Sequence, residues 1–295
     1  MIVVYWLWCL GVFFTRVAPR RWSYAAAAAI GNSVYYLMPM RRRIAKQNFA
    51  HVLGKSPDDP HVRRVAREAL RNYMILLRDV MIYPGMSVEE LDKRVTIHSP
   101  EYLERALATG KGAIIVSAHF GNMDLAAAAL AKHFKPFTLV AETLRPQQLM
   151  DYLTNIRRAR GVHLFPYDRA PRKIIEALKR NEMTTFLLDF GVTHHFDIAT
   201  VPVEFFGTPT RFPSGPAQLS MLTGAPIVVG YTCVAPDEHI HVYLTLPIVI
   251  ERNGDRQHVF QVTMQEIAQR FESFILQHPE QWYIFRPMWL DGENS

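Results

Sequence analysis

The chain has 295 residues, 49% of them hydrophobic, which is enough to bury a full core in one large domain or in one domain with an appendage. Its net charge of +6 predicts an anionic partner. Because the arginine clusters stand beside apolar segments, a membrane surface is favoured over nucleic acid. The two cysteines, Cys9 and Cys233, are too few and too poorly placed for a disulfide framework or a zinc site.

The first apolar segment covers residues 2–14 and contains Trp6 and Trp8. It is shorter than the roughly 20 residues that a spanning helix needs, and it lacks the basic start and small-residue end of a removable signal peptide. A second apolar segment, 24–40, follows Arg20 and Arg21. We expect the two segments to form a helical pair that lies in one membrane leaflet, with a buried core hairpin as the alternative.

Helical patterns continue over 41–53 and 59–82, and Pro84-Gly85 ends this part of the chain. Apolar strand patterns then cover 95–98, 113–117, 137–141, 162–165, 184–188, 226–232 and 240–247, and helical patterns include 99–109, 125–134 and 262–278. This alternation predicts an α/β fold with a largely parallel, mixed sheet flanked by helices. We therefore predict an N-terminal helical, membrane-associated region over residues 1–85 and an α/β domain over residues 86–295.

The predicted strand 113–117 delivers His119 at its carboxyl end, and Asp124 follows after a Gly121-Asn122 turn. On a regular helix, residues five apart point about 140° away from each other, so this pair can meet only where the turn reverses the chain. The carboxyl ends of strands are where open α/β sheets bind ligands. The pair is therefore a candidate site, and the alternative is a core histidine beside an aspartate that favours a helix N-terminus.

Other motifs give weaker evidence for a functional site. A second pair at the same spacing, His163 and Asp168, has a proline between its members and no helix after it, so we interpret it as strand and turn. His194-His195-Phe196-Asp197 and His239-x-His241 lack a second cluster with metal-ligand spacing, and we predict no metal site. Glycine-rich phosphate motifs and the G-x-S-x-G motif of serine hydrolases are absent from the sequence.

Two further segments are candidates for substrate contacts. Strand alternation over 201–205 places Glu204 on the face opposite its apolar neighbours, and a Gly/Pro-rich loop then leads into a helix whose N–H groups could receive an anion. The alternative is an edge strand with a solvated glutamate. Arg157 and Arg158 suit phosphate oxygens, or else they end a solvated helix just before Gly161.

The sequence resembles the bacterial lipid A biosynthesis acyltransferases, a family that includes the phosphatidylinositol mannoside acyltransferases. The resemblance covers nearly the whole chain, and besides the apolar N-terminus it is carried by Arg41-Arg-Arg-Ile-Ala-Lys-Gln-Asn48, Ser117-Ala-His-Phe-Gly-Asn-Met-Asp124, Arg157-Arg-Ala-Arg-Gly161, Leu188-Asp189, Val203-Glu-Phe-Phe-Gly207, Pro213-Ser-Gly-Pro-Ala217, Thr223-Gly-Ala225 and His278-Pro-Glu-Gln-Trp282. Asp124, where lipid A enzymes usually carry Glu, favours the mannoside branch. The family's second acid is missing, since Phe190 and Gly191 follow Asp189.

The resemblance implies a glycerolipid acyltransferase-like fold and transfer of an acyl group from acyl-coenzyme A or acyl carrier protein to a hydroxyl of a glycolipid at the cytoplasmic face of the membrane. It requires no metal or other cofactor. A hydroxyl needs a base to take its proton, and an imidazole with an ordinary pKa near 6.5 matches that task. We expect His119 to be this base and Asp124 to hold its tautomer, with Glu204 as a second candidate for the orienting role.

By the same resemblance, the candidate substrate-binding residues are Arg157, Arg158, Asp189, Phe206, Gly207 and Arg211. Three other functions stay open at this stage. A glycerol-phosphate or lysophospholipid acyltransferase shares the His-x4-Asp spacing, although its later Gly- and Pro-containing blocks fit less well. A non-catalytic membrane-bound scaffold is disfavoured by the intact pair and its turn, and a soluble α/β hydrolase by the missing nucleophile motif.

Overall fold

A computed structural model describes residues 2–141, 146–166, 170–189, 198–251 and 254–289. The N-terminal part is helical, as the sequence predicts. Its four helices are α1 (Ile2–Val17), α2 (Arg20–Leu37), α3 (Pro39–Leu53) and α4 (Pro60–Ile82). Pro19, Pro39 and Pro60 stand at or next to the start of α2, α3 and α4, where a proline without an N–H group is tolerated.

The remaining described elements alternate between helix and strand. The helices are α5 (Val88–Arg94), α6 (Pro100–Leu107), α7 (Met123–His133), α8 (Gln147–Arg158), α9 (Ala170–Lys179), α10 (Gly215–Thr223) and α11 (Arg256–Gln277). The strands are β1 (Val95–His98), β2 (Ala113–Ser117), β3 (Phe137–Ala141), β4 (Val162–Pro166), β5 (Met183–Leu187), β6 (Thr200–Phe205), β7 (Thr208–Pro213), β8 (Ile227–Val234) and β9 (Ile240–Leu244).

Seven strands form one sheet in the order β1-β9-β8-β2-β5-β3-β4. Every neighbouring pair is parallel except β8 and β9, so the predicted mixed, largely parallel sheet is confirmed. The central strand β2 lies between β8 and β5, and its first four residues are buried. Strands buried on both faces need apolar residues at every position, which explains the continuous run Ala113-Ile-Ile-Val116.

Strands β6 and β7 form a separate antiparallel hairpin that packs on α11 and the C-terminal segment. Phe205 and Phe212 point from this hairpin into the main core, where Phe205 contacts the Trp282 and Trp289 rings. The hairpin turn places Phe206 and Gly207 at φ values of 52° and 68°. A glycine adopts this left-handed region without steric cost, and a phenylalanine does so only with strain.

Helix α1 packs on α4 and α8 through one side and exposes apolar side chains on the other. Seven of them are more than half exposed, namely Val3, Val4, Trp6, Leu7, Leu10, Phe13 and Val17. A buried core hairpin is therefore not what α1 forms, whereas the predicted helical pair is present. In the part of the chain that is described, no helix is both long and apolar enough to cross a membrane. Membrane association of residues 1–85, and the division after residue 85, remain predictions.

Candidate active site

His119 lies two residues beyond the end of β2, and Asp189 lies two residues beyond the end of β5. The two strands are parallel neighbours, with Ser117 paired to Leu187. The carboxyl ends of parallel neighbours meet at one edge of a sheet, so two residues 70 positions apart come together there. The site is therefore built by the sheet topology and not by local sequence spacing.

The Asp189 carboxylate holds both the backbone and the ring of His119. Its Oδ1 lies 2.8 Å from the His119 Nδ1 atom, and its Oδ2 accepts the His119 backbone N–H at 2.8 Å. The indole Nε1–H of Trp282 donates to the same Oδ2, also at 2.8 Å. A carboxylate beside Nδ1 favours the imidazole tautomer with its proton on Nδ1, which leaves the basic lone pair on Nε2.

The two partners differ in exposure. The Asp189 side chain is fully buried, whereas the His119 side chain is 37% exposed. Burial alone raises the pKa of the Asp189 carboxyl, but the charge and hydrogen bonds of His119 and the Trp282 bond outweigh it, so the net pKa is lowered. Asp189 therefore stays ionised, and the histidine is the member of the pair that a substrate can reach.

The chain after His119 is fixed by the C-terminal segment and by β8. The His119 carbonyl accepts the Tyr283 N–H at 2.7 Å, and the Gly121 N–H donates to the Gln281 carbonyl at 2.9 Å. Gly121 has a φ of 57°, and a Cβ atom there would collide with the backbone of Thr232. Only glycine meets both demands, so the Gly121-Asn122 turn is a requirement of this close approach.

Asn122 ties the turn to α4. Its Oδ1 accepts the Leu125 N–H and caps α7, while its Nδ2 donates to Asp79 Oδ2 at 3.1 Å. Asp79 is buried and accepts a 2.7 Å hydrogen bond from its neighbour Arg78. Burial raises the pKa of Asp79 more than the arginines beside it lower it. This polar network links the helical N-terminal part to the loop that carries His119.

The structure pairs Asp124 with Arg157. Its carboxylate accepts two hydrogen bonds from Arg157, at 2.6 Å from Nε and 3.2 Å from Nη2, and both side chains are mostly buried. At the Nδ1 atom of His119 the structure places Asp189, which follows β5, and the orienting role of Asp124 stays a prediction. This bidentate ion pair connects the first turn of α7 to the end of α8.

The same pair occupies the Arg157 guanidinium, which is mostly buried, and the substrate-binding role of Arg157 stays a prediction. Asp189 was expected to contact substrate, but its burial and its three bonds make it the support of His119. Arg158 is exposed at the end of α8, and its predicted role in substrate binding stays a prediction.

On the β6–β7 hairpin, the contacts of Glu204 differ from those of the predicted orienting role. Glu204 is solvent-exposed because strand alternation turns it away from Phe205, which faces the core. Its backbone N–H and carbonyl bond the side chain of Gln265 on α11. Asp189 lies beside the Nδ1 atom of His119, and these contacts do not support the orienting role predicted for Glu204.

The other hairpin candidates serve the hairpin itself. Arg211 donates to the hydroxyl of Thr200 at 2.7 Å and to its carbonyl at 3.2 Å, within the same hairpin. Phe206 and Gly207 form the turn, and the Phe206 N–H donates to Glu272. This internal pairing of Arg211 does not support the predicted substrate contact, and none of the contacts described for Phe206 and Gly207 tests theirs.

Other sequence candidates fall partly outside the described residues. Asp168 and the His194–Asp197 cluster lie outside them. His241 accepts or donates a 3.0 Å hydrogen bond with His98, and His239 bonds Thr96 at 2.8 Å, so both belong to the β1–β9 edge of the sheet. Within the described ranges, no three His, Cys, Asp or Glu side chains are grouped so that they could hold a metal ion.

Sequence reasoning missed the roles of Trp282 and Asp79. Trp282 stood in a block of the family resemblance without an assigned role, yet it is fully buried and supports Asp189. The signal for Asp189 was present, since it directly follows an apolar strand in the same way that His119 follows another. Nothing local in the sequence indicates that Trp282 donates to it from 93 residues away.

A partly exposed histidine oriented by a buried carboxylate, at the carboxyl edge of a largely parallel sheet, is the arrangement that general acid–base catalysis requires. The chain belongs to the bacterial lipid A biosynthesis acyltransferase family, whose model matches residues 1–291. It is therefore an acyltransferase with an α/β fold.

Curated relatives agree with this assignment. A phosphatidylinositol mannoside acyltransferase of Mycolicibacterium smegmatis is 30% identical over 250 residues, which cover 83% of this chain and 78% of the relative. One of Mycobacterium tuberculosis is 31% identical over 254 residues, with 83% and 76% covered. A lipid A biosynthesis acyltransferase of Haemophilus influenzae is 24% identical over 292 residues, with 94% and 86% covered.

Proposed function

We propose that this protein transfers a fatty acyl group from an acyl thioester to a hydroxyl of a glycolipid, with His119 as the general base and Asp189 as its positioning residue. The observation that carries the proposal is the 2.8 Å contact between His119 Nδ1 and the buried Asp189 carboxylate. It replaces the earlier expectation that Asp124 performs this role.

The proposed reaction needs no covalent acyl-enzyme. Nε2 of the neutral imidazole accepts the proton of the acceptor hydroxyl as that oxygen attacks the thioester carbonyl, and the resulting imidazolium is stabilised by the Asp189 carboxylate. The tetrahedral intermediate then collapses, the C–S bond breaks, and the thiolate takes the proton from Nε2. An ester and a free thiol are formed, and the histidine returns to its starting state.

The names of the relatives guide the choice of substrates. Two mannoside acyltransferases are 30% and 31% identical to this chain, and a lipid A enzyme is 24% identical. We therefore propose a phosphatidylinositol mannoside as the acceptor ahead of a lipid A precursor. The proposed donor is acyl-coenzyme A or acyl-acyl carrier protein, used as a co-substrate without any further cofactor.

We also propose that the protein works at the cytoplasmic face of the cell membrane, attached through α1. The apolar side chains that α1 exposes form a continuous helical face, Arg16 lies in the last turn of α1, and Arg21 follows at the start of α2. A helix with this pattern suits the plane of a membrane interface, where apolar groups enter the acyl region and arginines meet lipid phosphates.

The catalytic proposal is tested with purified protein, labelled acyl-coenzyme A and lipids extracted from the host, followed by identification of the acylated product. Replacing His119 with alanine should lower turnover by about 10² to 10⁴, because general-base catalysis contributes that much. His133→Ala is the matched control, since His133 is exposed on α7 and bonds Asp92. If the His119 variant keeps more than a tenth of the wild-type turnover, the base has been misassigned.

The membrane proposal is tested by fractionation of cells that express Trp6→Glu/Leu10→Glu. A carboxylate at each position opposes burial in an interface, so the variant should move from the membrane fraction to the soluble fraction. Val249→Glu is the control, because Val249 is as exposed as the α1 residues and lies far from them in the sequence. Unchanged membrane attachment of the α1 variant would argue against α1 as the attachment site.

A further inference from the structure

A cavity of about 700 Å³ lies where the end of α2, the first turns of α3 and the start of α4 meet. It is lined by five basic side chains, Arg42, Lys46, Arg63, Arg64 and Arg67, and we call it the basic basin. None of these residues takes part in the contacts around His119 described above. The basic basin therefore needs an explanation of its own.

The charge in the basic basin is poorly balanced. Asp58 is the acid among its lining residues, and its carboxylate lies 2.6 Å from the Lys46 Nζ atom. With five basic groups and one carboxylate, the lining carries a formal charge of +4. Like charges that face a common space repel one another, so an anion in that space lowers the electrostatic energy of the folded protein.

The chemistry of the lining favours phosphate. Four of the five basic groups are guanidinium groups, whose planar N–H donors match phosphate oxygens in pairs. Arg42 lies 5.9 Å from the ring centre of Tyr35, which restricts its position as a preorganised donor. Arg67 is held by a hydrogen bond with the Tyr36 hydroxyl, and this bond raises its pKa.

The rim of the basic basin is apolar and exposed. Tyr36 lines the basin, and the residues that follow it at the α2–α3 turn, Leu37, Met38 and Met40, are 78%, 49% and 68% exposed. A phosphate compound without an apolar part makes no favourable contact with such a rim. A membrane lipid does, because its phosphate and its glycerol and acyl parts lie a few ångströms apart at the interface.

We infer that the basic basin binds the phosphate headgroup of an anionic membrane phospholipid while the α2–α3 turn enters the interface. The inference rests on the proposed membrane attachment and adds to it a discrete lipid site on α2, α3 and α4. This site selects the membrane by its charge, and it is separate from the transfer chemistry at His119.

The test measures partitioning of the full chain onto vesicles of phosphatidylcholine alone and of phosphatidylcholine with phosphatidylglycerol. Both Arg63 and Arg64 are exposed, so Arg63→Gln/Arg64→Gln should keep the fold, as checked by circular dichroism. We expect this variant to bind the anionic vesicles about tenfold to thirtyfold more weakly, given the contribution of each basic residue near such a surface. Binding to the neutral vesicles should not change.

The matched control is Arg105→Gln/Lys111→Gln, which removes two exposed basic side chains that lie outside the N-terminal helices and outside the basin. A loss of less than threefold is expected. If this control loses as much affinity as the basin variant, the attraction is spread over the whole surface and the inference of a discrete site is wrong.

A second measurement separates the membrane lipid from the acyl donor, which also carries phosphates. Binding of coenzyme A is measured by calorimetry for the wild type and the basin variant. An equal affinity supports the inference, whereas a large loss with unchanged vesicle binding would make the basin a donor site. If the wild type transfers no acyl group at all, the proposed function fails, yet the vesicle result still decides the basin.

Discussion

Replacement of Asp189 with asparagine is the sharpest test of the site, because it changes one atom of a fully buried group. In the wild type, Oδ2 accepts two N–H groups, from the His119 backbone and the Trp282 indole, and Oδ1 lies beside His119 Nδ1. The single oxygen of an asparagine is expected to take the Oδ2 position, since two donors converge there. Its NH2 group then faces Nδ1.

This exchange reverses the tautomer of the His119 ring. A donor opposite Nδ1 forces that atom to accept, so the ring proton moves to Nε2 and the lone pair that should take the substrate proton is lost. The corresponding change in a serine protease triad lowers turnover by about 10⁴ for the same reason. We expect Asp189→Asn to lower kcat by about 10³ to 10⁴, which is roughly 4 to 5.5 kcal/mol of transition-state stabilisation.

The assay is acyl transfer from labelled acyl-coenzyme A under saturating donor and acceptor, with circular dichroism and thermal melting on the same samples. Asp151→Asn is the control, because Asp151 is an exposed aspartate of α8 whose carboxylate bonds Gln147. A folded Asp189 variant with more than a tenth of the wild-type kcat would refute the tautomer argument. A greater loss in Asp124→Asn at unchanged stability would return the orienting role to Asp124.

Trp282→Phe removes the indole donor and part of a buried ring, so thermal melting should show a loss of about 2–4 kcal/mol in the free energy of unfolding. Because Asp189 becomes less fixed, kcat should also fall about tenfold. An unchanged kcat would show that Asp189 needs no second support. Arg157→Ala should cost about 3 kcal/mol in chemical denaturation, because it leaves the Asp124 carboxylate uncompensated in a mostly buried place. A raised KM at unchanged stability would restore Arg157 as a substrate-binding residue. The lowered pKa of Asp189 means that its stabilising effect is fully present above the unfolded-state pKa near 3.9 and is lost as the pH falls through the folded-state pKa. The difference in unfolding free energy between the wild type and Asp189→Asn should therefore shrink between pH 4 and pH 2, and a difference that stays constant over this range would contradict the lowered pKa.

Much of the fold was predictable because its strands are buried on both faces. The segments 113–117 and 137–141 match β2 and β3 at both ends, since a continuous apolar run bounded by polar residues marks a buried strand. The edge strand β1, Val95-Thr-Ile-His98, also matches its predicted segment, although none of its residues is buried. The sequence Ser87-Val-Glu-Glu90 has the pattern of a capping box, and this box forms at the start of α5. Boundaries that depend on packing were less accurate, and α11 begins six residues before the predicted helix 262–278.

The sequence pattern does not predict the order of the strands in the sheet. Periodicity shows that a strand exists, but it does not show that β5 lies beside β2 while β3, which comes between them in the chain, lies on the far side of β5. This order alone decides that Asp189 meets His119. Burial of a strand is a local property of its residues, whereas adjacency depends on how all the helices cover the sheet.

The contacts of Asp124 show how a short motif can mark a site while one of its residues serves the local structure. The spacing from His119 to Asp124 is fixed by a strand end, a tight turn and a helix start, and all three are present. That geometry needs an acid in the first turn of α7, where the helix dipole and Arg157 both favour it. The motif is therefore explained by how the turn is held in place, and the carboxylate that tunes the base can come from a distant strand. It follows that a chain with an intact motif but an altered residue after β5 should fold and fail to catalyse.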